Sequence, residues 1–330
     1  MPKKMCALLK IENAVKVFDV ARGMFGEVRK LRAVDGVSLT LEPGQSLGLV
    51  GESGCGKSTL GRLACGLLNP TSGNIELHGK ALPRASSRSW ARGHIQMVFQ
   101  DPASSLNPRM KALNSIAEPL VPLGIGMRER RKKSEEMLDL VGLAGMGDRY
   151  PHEFSGGQRQ RIAIARALIT HPEVIVCDEP VSALDASVQA QILNLLREVQ
   201  ERFSLSYLFI SHDLCVVGFM CQHISVMYLG QFVESAPAAK LFQGPAHPYS
   251  EALLAAMPEG EQVWKKGSQP DRLPPILNGE LPSPLDPPTG CRFHPRCPKA
   301  MEICARLAPQ WHEIEPGWQA RCHLYDNEDK

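Results

Sequence analysis

The stretch Gly51-Glu-Ser-Gly-Cys-Gly-Lys-Ser-Thr59 decides the fold of this 330-residue chain. It follows a short apolar run, residues 46–50, and precedes a helical pattern that begins near residue 60. A strand, a loop of the form G-x-x-x-x-G-K-[ST] and a helix together surround phosphates with backbone N–H groups. A ligand-free glycine-rich turn is the alternative, and the strand–loop–helix context disfavours it. The sequence therefore predicts a nucleoside triphosphate site, with Lys57 on the β- and γ-phosphates and Ser58 on Mg²⁺.

Composition limits the classes of function open to the chain. Its 37 basic and 35 acidic side chains nearly balance, so no strong field attracts nucleic acid or anionic lipid. It has no run of 18 apolar residues, and the N-terminal apolar stretch is too short for a secretory signal. We therefore expect a cytosolic protein with no nucleic-acid partner, in which the ten cysteines stay reduced.

Strand and helix patterns alternate through most of the chain. Strand patterns occupy residues 7–19, 34–50, 75–79, 95–99, 174–177, 207–211 and 224–228. Helical patterns occupy residues 60–68, 112–141, 159–170 and 186–202. This alternation predicts an α/β domain with a largely parallel sheet. The basic run 127–133 within one helical pattern is expected to be a solvated helix face rather than a nucleic-acid patch.

Several polar side chains stand where predicted strands end. Asp178 closes the apolar strand 174–177, where a carboxylate can hold Mg²⁺ through its water shell, and Glu179 is placed to polarise a water. Gln100 and His212 close two further strands, at the sheet edge where ligands bind. A lone residue of this kind is more often an ordinary polar group, so these residues gain weight only as members of a set. Asp185 is also suited to capping the helix that starts at 186.

Taken in order, the motifs resemble those of the ATP-binding subunits of ABC transporters over residues 8–256. GESGCGKST is similar to Walker A, VIVCD with Glu179 to Walker B, and FSGGQ at 154–158 to the LSGGQ signature. Gln100 resembles the Q-loop residue, Asp185 the D-loop residue and His212 the switch histidine. The resemblance implies a P-loop NTPase cassette with a RecA-like core, a β-rich subdomain and a helical signature subdomain at about 101–160.

This resemblance also implies the roles of individual residues. Lys57, Gln100, Glu179 and His212 would be catalytic, and Ser58, Gln100 and Asp178 would hold Mg²⁺. Phe18 would stack on adenine, although a core position is the alternative for it. ATP would further contact Gln100 and the loop residues Gly51, Glu52, Ser53, Gly54, Cys55, Gly56, Lys57, Ser58 and Thr59. Two cassettes pair head to tail in the family, so a partner's ATP would contact Ser155, Gly156, Gly157 and Gln158.

Local features resemble the dipeptide, oligopeptide and nickel importer branch. They lie at residues 99–108, 246–250 and 281–291, with an insertion at 24–31. The branch implies a peripheral ATPase on the cytoplasmic side of the cell membrane that drives peptide uptake. Its partners would be a homologous second ATPase, two permeases that dock on residues 101–155, and an extracytoplasmic binding protein. Importers of nickel, opines or oligosaccharides, a soluble ABC ATPase and a metal-sensing regulator remain alternatives.

Composition predicts three regions: an ATP-binding domain at 1–257, a Pro-rich semi-rigid linker at 258–288 and a cysteine-containing extension at 289–330. The extension holds Cys291, Cys297, Cys304 and Cys322, in the pattern C-x5-C-x6-C-x17-C. Four clustered cysteines in a cytosolic chain favour a metal over disulfides, but the spacing leaves iron–sulfur, zinc and packed thiols open. The family resemblance implies a [4Fe–4S] cluster, with zinc as the alternative.

Other residues near these motifs are given simpler interpretations. Histidines 294, 312 and 323 are further candidate ligands, although surface histidines are more common. Cys55, inside the phosphate loop, is interpreted as a tolerated small side chain, although a helix N-terminus can make a thiol reactive. The remaining cysteines are expected in the core: Cys6, Cys65, Cys177, Cys215 and Cys221.

Overall fold

A computed structural model describes residues 7–21, 28–82, 90–257 and 281–326. Its strands are β1 Leu9–Ala21, β2 Val28–Leu41, β3 Ser46–Val50, β4 Ser72–Leu77, β5 Lys80–Ala81, β6 Ile95–Val98, β7 Val174–Asp178, β8 Ser206–Ile210, β9 His223–Tyr228, β10 Gln231–Pro237, β11 His312–Glu315 and β12 Trp318–Ala320. Its helices are α1 Lys57–Ala64, α2 Pro102–Ser105, α3 Ala112–Ala117, α4 Met127–Leu140, α5 Gly156–Leu168, α6 Ala186–Phe203, α7 Leu214–Met220, α8 Ala238–Gln243, α9 Pro248–Ala255 and α10 Glu302–Arg306.

An eight-stranded sheet in the order β11-β12-β10-β9-β3-β8-β7-β6 forms the centre of the protein. The strands from β9 to β6 are parallel, and β10, β12 and β11 continue the sheet as antiparallel strands. Every residue of β3, β7 and β8 is buried, as expected for parallel strands covered on both faces. The carboxyl ends of the parallel strands therefore meet at one edge, which is where the predicted site residues stand.

A second, antiparallel sheet of four strands has the order β2-β1-β4-β5. Its apolar side chains pack with those of α1 and the central sheet in one core, which includes Leu9, Val37, Leu60 and Met97. This is the β-rich subdomain that the sequence predicts. Residues 28–31 belong to β2, whereas residues 24–27 of the expected insertion lie outside the described residues.

The helical patterns differ from the structure in three places, and the first is the helix expected at 60–68, which spans Lys57–Ala64. The pattern at 112–141 is not one helix, because Pro119, Pro122, Gly124 and Gly126 separate α3 from α4. The helix expected at 159–170 begins earlier, at Gly156, and ends at Leu168. Helix α4 carries the basic run, and three of its basic side chains pair with glutamates one turn away, such as Arg131 with Glu135 at 3.0 Å. The run is thus a solvated helix face.

The C-terminal segment joins the central sheet. β12 pairs with β10, with Ala320 opposite Glu234, and β11 pairs with β12. Of the predicted linker, residues 258–280 lie outside the described residues, and 281–288 are described. None of the helices in the described ranges combines the length and apolar character that a membrane span requires.

Candidate ATP-binding and hydrolysis site

The phosphate loop connects β3 to α1 and encloses a lysine. The ammonium of Lys57 donates to the carbonyl oxygens of Gly51, at 2.7 Å, and Glu52, at 3.0 Å. Gly56 has φ +112°, and a Cβ there would lie 2.1 Å from the Ala33 oxygen, so the loop requires glycine at this position. The buried ammonium therefore lies inside the concave loop, where it is available to an anion.

A hydroxyl and a carboxylate meet beside the loop. Ser58 Oγ donates to Asp178 Oδ1 over 2.8 Å, and Asp178 is only 3% exposed at the end of β7. Burial raises the pKa of Asp178, and the hydrogen bond from Ser58 opposes that rise. Since burial disfavours a lone carboxylate, a divalent cation bound here would stabilise its charge. Gln100, the third predicted Mg²⁺ ligand, bonds to the Glu179 carboxylate instead.

Two side chains that are far apart in sequence converge on one oxygen of the Glu179 carboxylate. Gln100 Nε2 donates to Glu179 Oε2 over 3.0 Å, and His212 Nδ1 lies 3.1 Å from the same oxygen. Glu179 has φ +48°, a left-handed conformation that is strained for this residue, and its N–H bonds to the Ile210 oxygen at 2.9 Å. The ends of β6, β7 and β8 thus place a largely buried carboxylate where it can accept a proton from a water.

Helix α5 begins at the signature sequence with a capping box. Ser155 Oγ accepts from the Gln158 N–H at 3.3 Å, and Gln158 Oε1 accepts from the Ser155 N–H at 3.0 Å. Ser155 and Gly156 are exposed, whereas a Cβ on Gly157 would lie 2.4 Å from Val188 Cγ1. Gly156 therefore leaves the N-terminal end of α5 exposed, and Gly157 allows α6 to pack closely against α5.

The sequence matches two family models: ABC transporter over residues 34–182, and oligopeptide/dipeptide transporter, C-terminal region, over residues 233–304. The oligopeptide transport ATP-binding protein AppF of Bacillus subtilis is 49% identical, over 96% of this chain and 97% of that protein. The dipeptide transport ATP-binding protein DppF of Haemophilus influenzae is 46% identical, over 98% of each chain. This chain belongs to the ABC family of ATP-binding transport proteins, in its oligopeptide/dipeptide branch.

A solved structure of the same family confirms the cassette fold. The ATP-binding cassette MJ0796, a dimer in a post-hydrolysis state bound to ADP and Pi, has a TM-score of 0.62 and 28% identity. The match covers 70% of this chain and 98% of that chain.

Two further motif residues of the cassette have defined positions. Asp185 caps α6, with its Oδ1 accepting from the Val188 N–H at 3.0 Å, as the sequence predicts. Phe18 lies in β1 and is half-buried, and the Lys16 ammonium is 5.2 Å from its ring centroid.

Cys55 is 1% exposed, and burial raises the pKa of its thiol despite the nearby Lys57. This thiol is therefore a packed side chain and not a reactive one.

The C-terminal region of the cassette also reaches the phosphate loop, which the sequence analysis did not predict. The hydroxyl of Tyr249 accepts from the Glu52 N–H at 2.9 Å. The guanidinium of Arg296 makes two parallel bonds to the Glu52 carboxylate, at 2.8 and 3.0 Å. Tyr249 lies in the segment 246–250, which was interpreted as a family feature, and Arg296 lies between two of the candidate metal-ligating cysteines, because nothing in either segment indicates a contact with the phosphate loop.

The four late cysteines lie near one another and none forms a disulfide. The Cys291 N–H donates to the Cys304 oxygen at 2.8 Å, and the Met301 N–H to the Cys304 sulfur at 3.4 Å. Burial, with a contribution from the other three thiols, raises the pKa of Cys322 to about 11. The Cys322 thiol is therefore protonated at neutral pH unless a cation binds it.

The nearby histidines are less available than predicted. His323 is 4% exposed, and its ring nitrogens bond to Asp326 at 2.6 Å and to the Leu307 oxygen at 2.8 Å. His323 is therefore not the surface histidine that is the more common case, because Asp326 and the Leu307 carbonyl occupy both of its ring nitrogens. His312 bonds to the same Asp326 at 2.9 Å. The hydrogen bonds of His323 thus leave the four thiols as the main ligand set.

A group of two histidines and one carboxylate lies at the amino ends of the parallel strands, away from the ATP-binding site. Glu173 precedes β7, and its two oxygens bond to His78 at 2.8 Å and to His94 at 2.7 Å. Burial alone would raise the pKa of the Glu173 carboxyl, but the hydrogen bonds from both histidines outweigh burial and lower this pKa below its ordinary value. These hydrogen bonds explain the grouping of the three side chains without a metal.

Proposed function

We propose that this ABC ATPase hydrolyses ATP to drive uptake of dipeptides and oligopeptides by a membrane importer. The observation that carries the proposal is the convergence of Gln100, Glu179 and His212 beside the phosphate loop. Glu179 is 13% exposed in its side chain and has two polar partners, so it is oriented before any water arrives. A cassette that only bound nucleotide would not require this arrangement.

Each residue of the site has a separate task in the proposal. Lys57 binds the β- and γ-phosphates, and Ser58 with Asp178 holds Mg²⁺, which neutralises developing charge when bound. Glu179 orients the attacking water and accepts its proton. His212, 56% exposed, binds the γ-phosphate end, and Gln100 links the site to the helical region that follows it. Phe18 stacks on adenine.

The signature residues act on the nucleotide of a second cassette. Ser155 and Gly156 are exposed at the start of α5, where free N–H groups and the helix dipole favour an anion. We propose a homologous ATPase as the partner, so that each ATP lies between one Walker A and the other signature. The dimeric state of the related cassette MJ0796 supports pairing of two cassettes.

Permease subunits dock on the helical region in this proposal. A cleft of about 730 Å³ lies between β6 and residues 118–122, with Phe99, Pro119 and Val121 among its lining residues. Val121 is 55% exposed and Leu123 is 42% exposed, so apolar surface is available beside Gln100. This position keeps the chain on the cytoplasmic side of the cell membrane, with an extracytoplasmic binding protein presenting peptide. Nickel and other solutes remain alternatives, since permeases and binding proteins select the solute.

We also propose that the four cysteines hold a [4Fe–4S] cluster. The Cys291 N–H bonds to the Cys304 oxygen at 2.8 Å, and the other three thiols contribute to the raised pKa of Cys322, so the four sulfurs lie in one group. Four thiolates are compatible with an iron–sulfur cluster and with zinc, and the choice of iron–sulfur rests on the family resemblance.

Replacement of one cysteine tests the cluster. Protein purified without oxygen should show brown visible absorbance and bound iron, and Cys297→Ser should bleach the absorbance. Cys215→Ser, a matched change outside the group, should keep it. Colourless, iron-free wild-type protein would refute the cluster and leave zinc or free thiols.

Replacement of the proposed base tests hydrolysis. Glu179→Gln removes the proton acceptor while keeping the shape, so ATP turnover should fall at least about 100-fold with ATP binding retained. The matched control is Glu198→Gln on the exposed face of α6, which should turn over ATP like the wild type. Undiminished hydrolysis by Glu179→Gln would remove Glu179 from its assigned role.

A further inference from the structure

Glu52 of the phosphate loop is held from outside the loop by two side chains. Its backbone N–H donates to Tyr249 and its carboxylate binds Arg296, so both partners lie in the C-terminal region. Glu52 also faces inward, because its carbonyl oxygen accepts from the Lys57 ammonium at 3.0 Å. A displacement of Glu52 would therefore move the lysine that binds phosphate.

The Arg296–Glu52 pair is a specific contact. The Arg296 side chain is 6% exposed and that of Glu52 is 24% exposed, so water screens the pair weakly. Two parallel N–H···O bonds fix the carboxylate in orientation as well as position. The guanidinium also neutralises a negative charge in the loop that receives a highly anionic ligand.

Arg296 is in turn fixed by its neighbours. It lies between Cys291 and Cys297, and in the same short segment Phe293 is 1% exposed. The Phe293 ring packs against Tyr228 at 5.4 Å, Tyr249 at 5.3 Å and His247 at 5.9 Å between centroids. The buried Phe293 ring thus anchors the short segment that carries Arg296, Cys291 and Cys297, and the Tyr228 hydroxyl accepts from the guanidinium at 3.5 Å.

We infer that Arg296 is a positioning residue for the phosphate loop, and that through it the state of the four thiols sets the affinity for ATP. The first step rests only on the ion pair. The second step rests on the proposed thiol-bound cluster: a bound cluster holds residues 291–297 in place, and its loss releases Arg296 and leaves the Glu52 charge unpaired.

The first test is nucleotide binding by the full chain purified without oxygen, measured by titration with a fluorescent ATP analogue and competition by ATP and ADP. Arg296→Gln should weaken ATP binding on the order of tenfold, and ADP binding less, because an unpaired carboxylate repels the more highly charged nucleotide. Glu52→Gln/Arg296→Gln removes the repulsion and should regain most of the affinity. Arg306→Gln, an 81% exposed arginine of the same region, is the matched control and should bind ATP like the wild type.

Two results would overturn the first step: wild-type ATP affinity in Arg296→Gln, or a loss that the double variant does not recover. If Arg296→Gln fails to fold, Arg296→Lys replaces it, since lysine keeps the charge and loses the paired geometry. A smaller loss of the same pattern is then expected, and wild-type affinity in that variant contradicts the positioning role.

The second step has its own test. Cys297→Ser should weaken ATP binding in the wild-type background and have no further effect in Glu52→Gln/Arg296→Gln, where no pair remains to break. Equal losses in both backgrounds, or no loss in either, would refute the coupling. These measurements need no permease and no peptide, so failure of the transport proposal would leave them standing.

Discussion

At the scale of single residues, His247 shows how burial fixes a protonation state. Its ring is 1% exposed and Nδ1 accepts from the Tyr249 N–H at 3.0 Å, which requires an unprotonated nitrogen. Burial lowers the pKa of His247 to about 3. The imidazole is therefore neutral in the folded protein over the physiological range.

This neutral histidine predicts a loss of stability in mild acid. The unfolded chain protonates the ring below about pH 6.5, and the folded chain only near pH 3, so its contribution is complete above 6.5 and declines as pH falls between the two values. At pH 5 the free energy of unfolding should be about 2 kcal/mol lower on this account. His247→Asn keeps a capping acceptor without titrating, so urea unfolding at pH 7.5 and 5.0 should show a smaller decline than the wild type. His152→Asn, at an exposed histidine, should decline like the wild type, and an equal decline in all three would contradict the account.

At the scale of elements, sequence patterns placed the strands better than the helix ends. The apolar runs of β7 and β8 lie within one residue of their predicted bounds, because a buried parallel strand is a continuous apolar segment. Helix α5 starts three residues before its predicted start, since the capping box at Ser155 admits two glycines into the first turn. Glycine has no side chain and adds nothing to an apolar periodicity. The periodicity therefore could not indicate that α5 begins at Gly156.

The close packing of α5 on α6 predicts different effects for the two signature glycines. Gly157→Ala places a methyl 2.4 Å from Val188 Cγ1 and should lower the free energy of unfolding by about 1–3 kcal/mol. Gly156→Ala meets Leu184 at an ordinary 3.4 Å and should be neutral or slightly stabilising. Val188→Ala in the Gly157→Ala background should recover part of the loss in denaturant unfolding. Equal stability of the two alanine variants would show that α6 relaxes freely.

At the scale of the whole molecule, a buried carboxylate joins the C-terminal segment to the cassette. Glu234 of β10 is fully buried and accepts from the Ala246 N–H at 2.8 Å, the His247 N–H at 2.9 Å and Trp318 Nε1 at 2.8 Å. Trp318→Phe removes one donor from this carboxylate and should cost about 1–3 kcal/mol of stability in urea unfolding. Trp311→Phe, at a 41% exposed position, is the matched control and should change little. If Trp318→Phe is as stable as the control, the Ala246 and His247 N–H groups are enough to stabilise the buried Glu234 carboxylate, and the expected cost is refuted.

The sequence predicted the ATP motifs and their common edge, because each motif carries its chemistry within a few residues. It could not predict that β11 and β12 extend the central sheet, since a short strand carries no signal for the edge it joins. Arg296 was missed for the same reason. Its partner, Glu52, lies 244 residues away, and no local pattern pairs an arginine with a loop at that distance.

The most direct test of the transport account is peptide uptake by the complex itself. This chain would be captured by affinity from solubilised membranes without oxygen, its companions identified by mass spectrometry, and the complex reconstituted in vesicles with its binding protein. We predict two permeases and a second cassette, with ATP-dependent accumulation of labelled dipeptides or oligopeptides that Glu179→Gln abolishes. ATP hydrolysis with accumulation of a different solute, or recovery of this chain without any permease, would contradict the account.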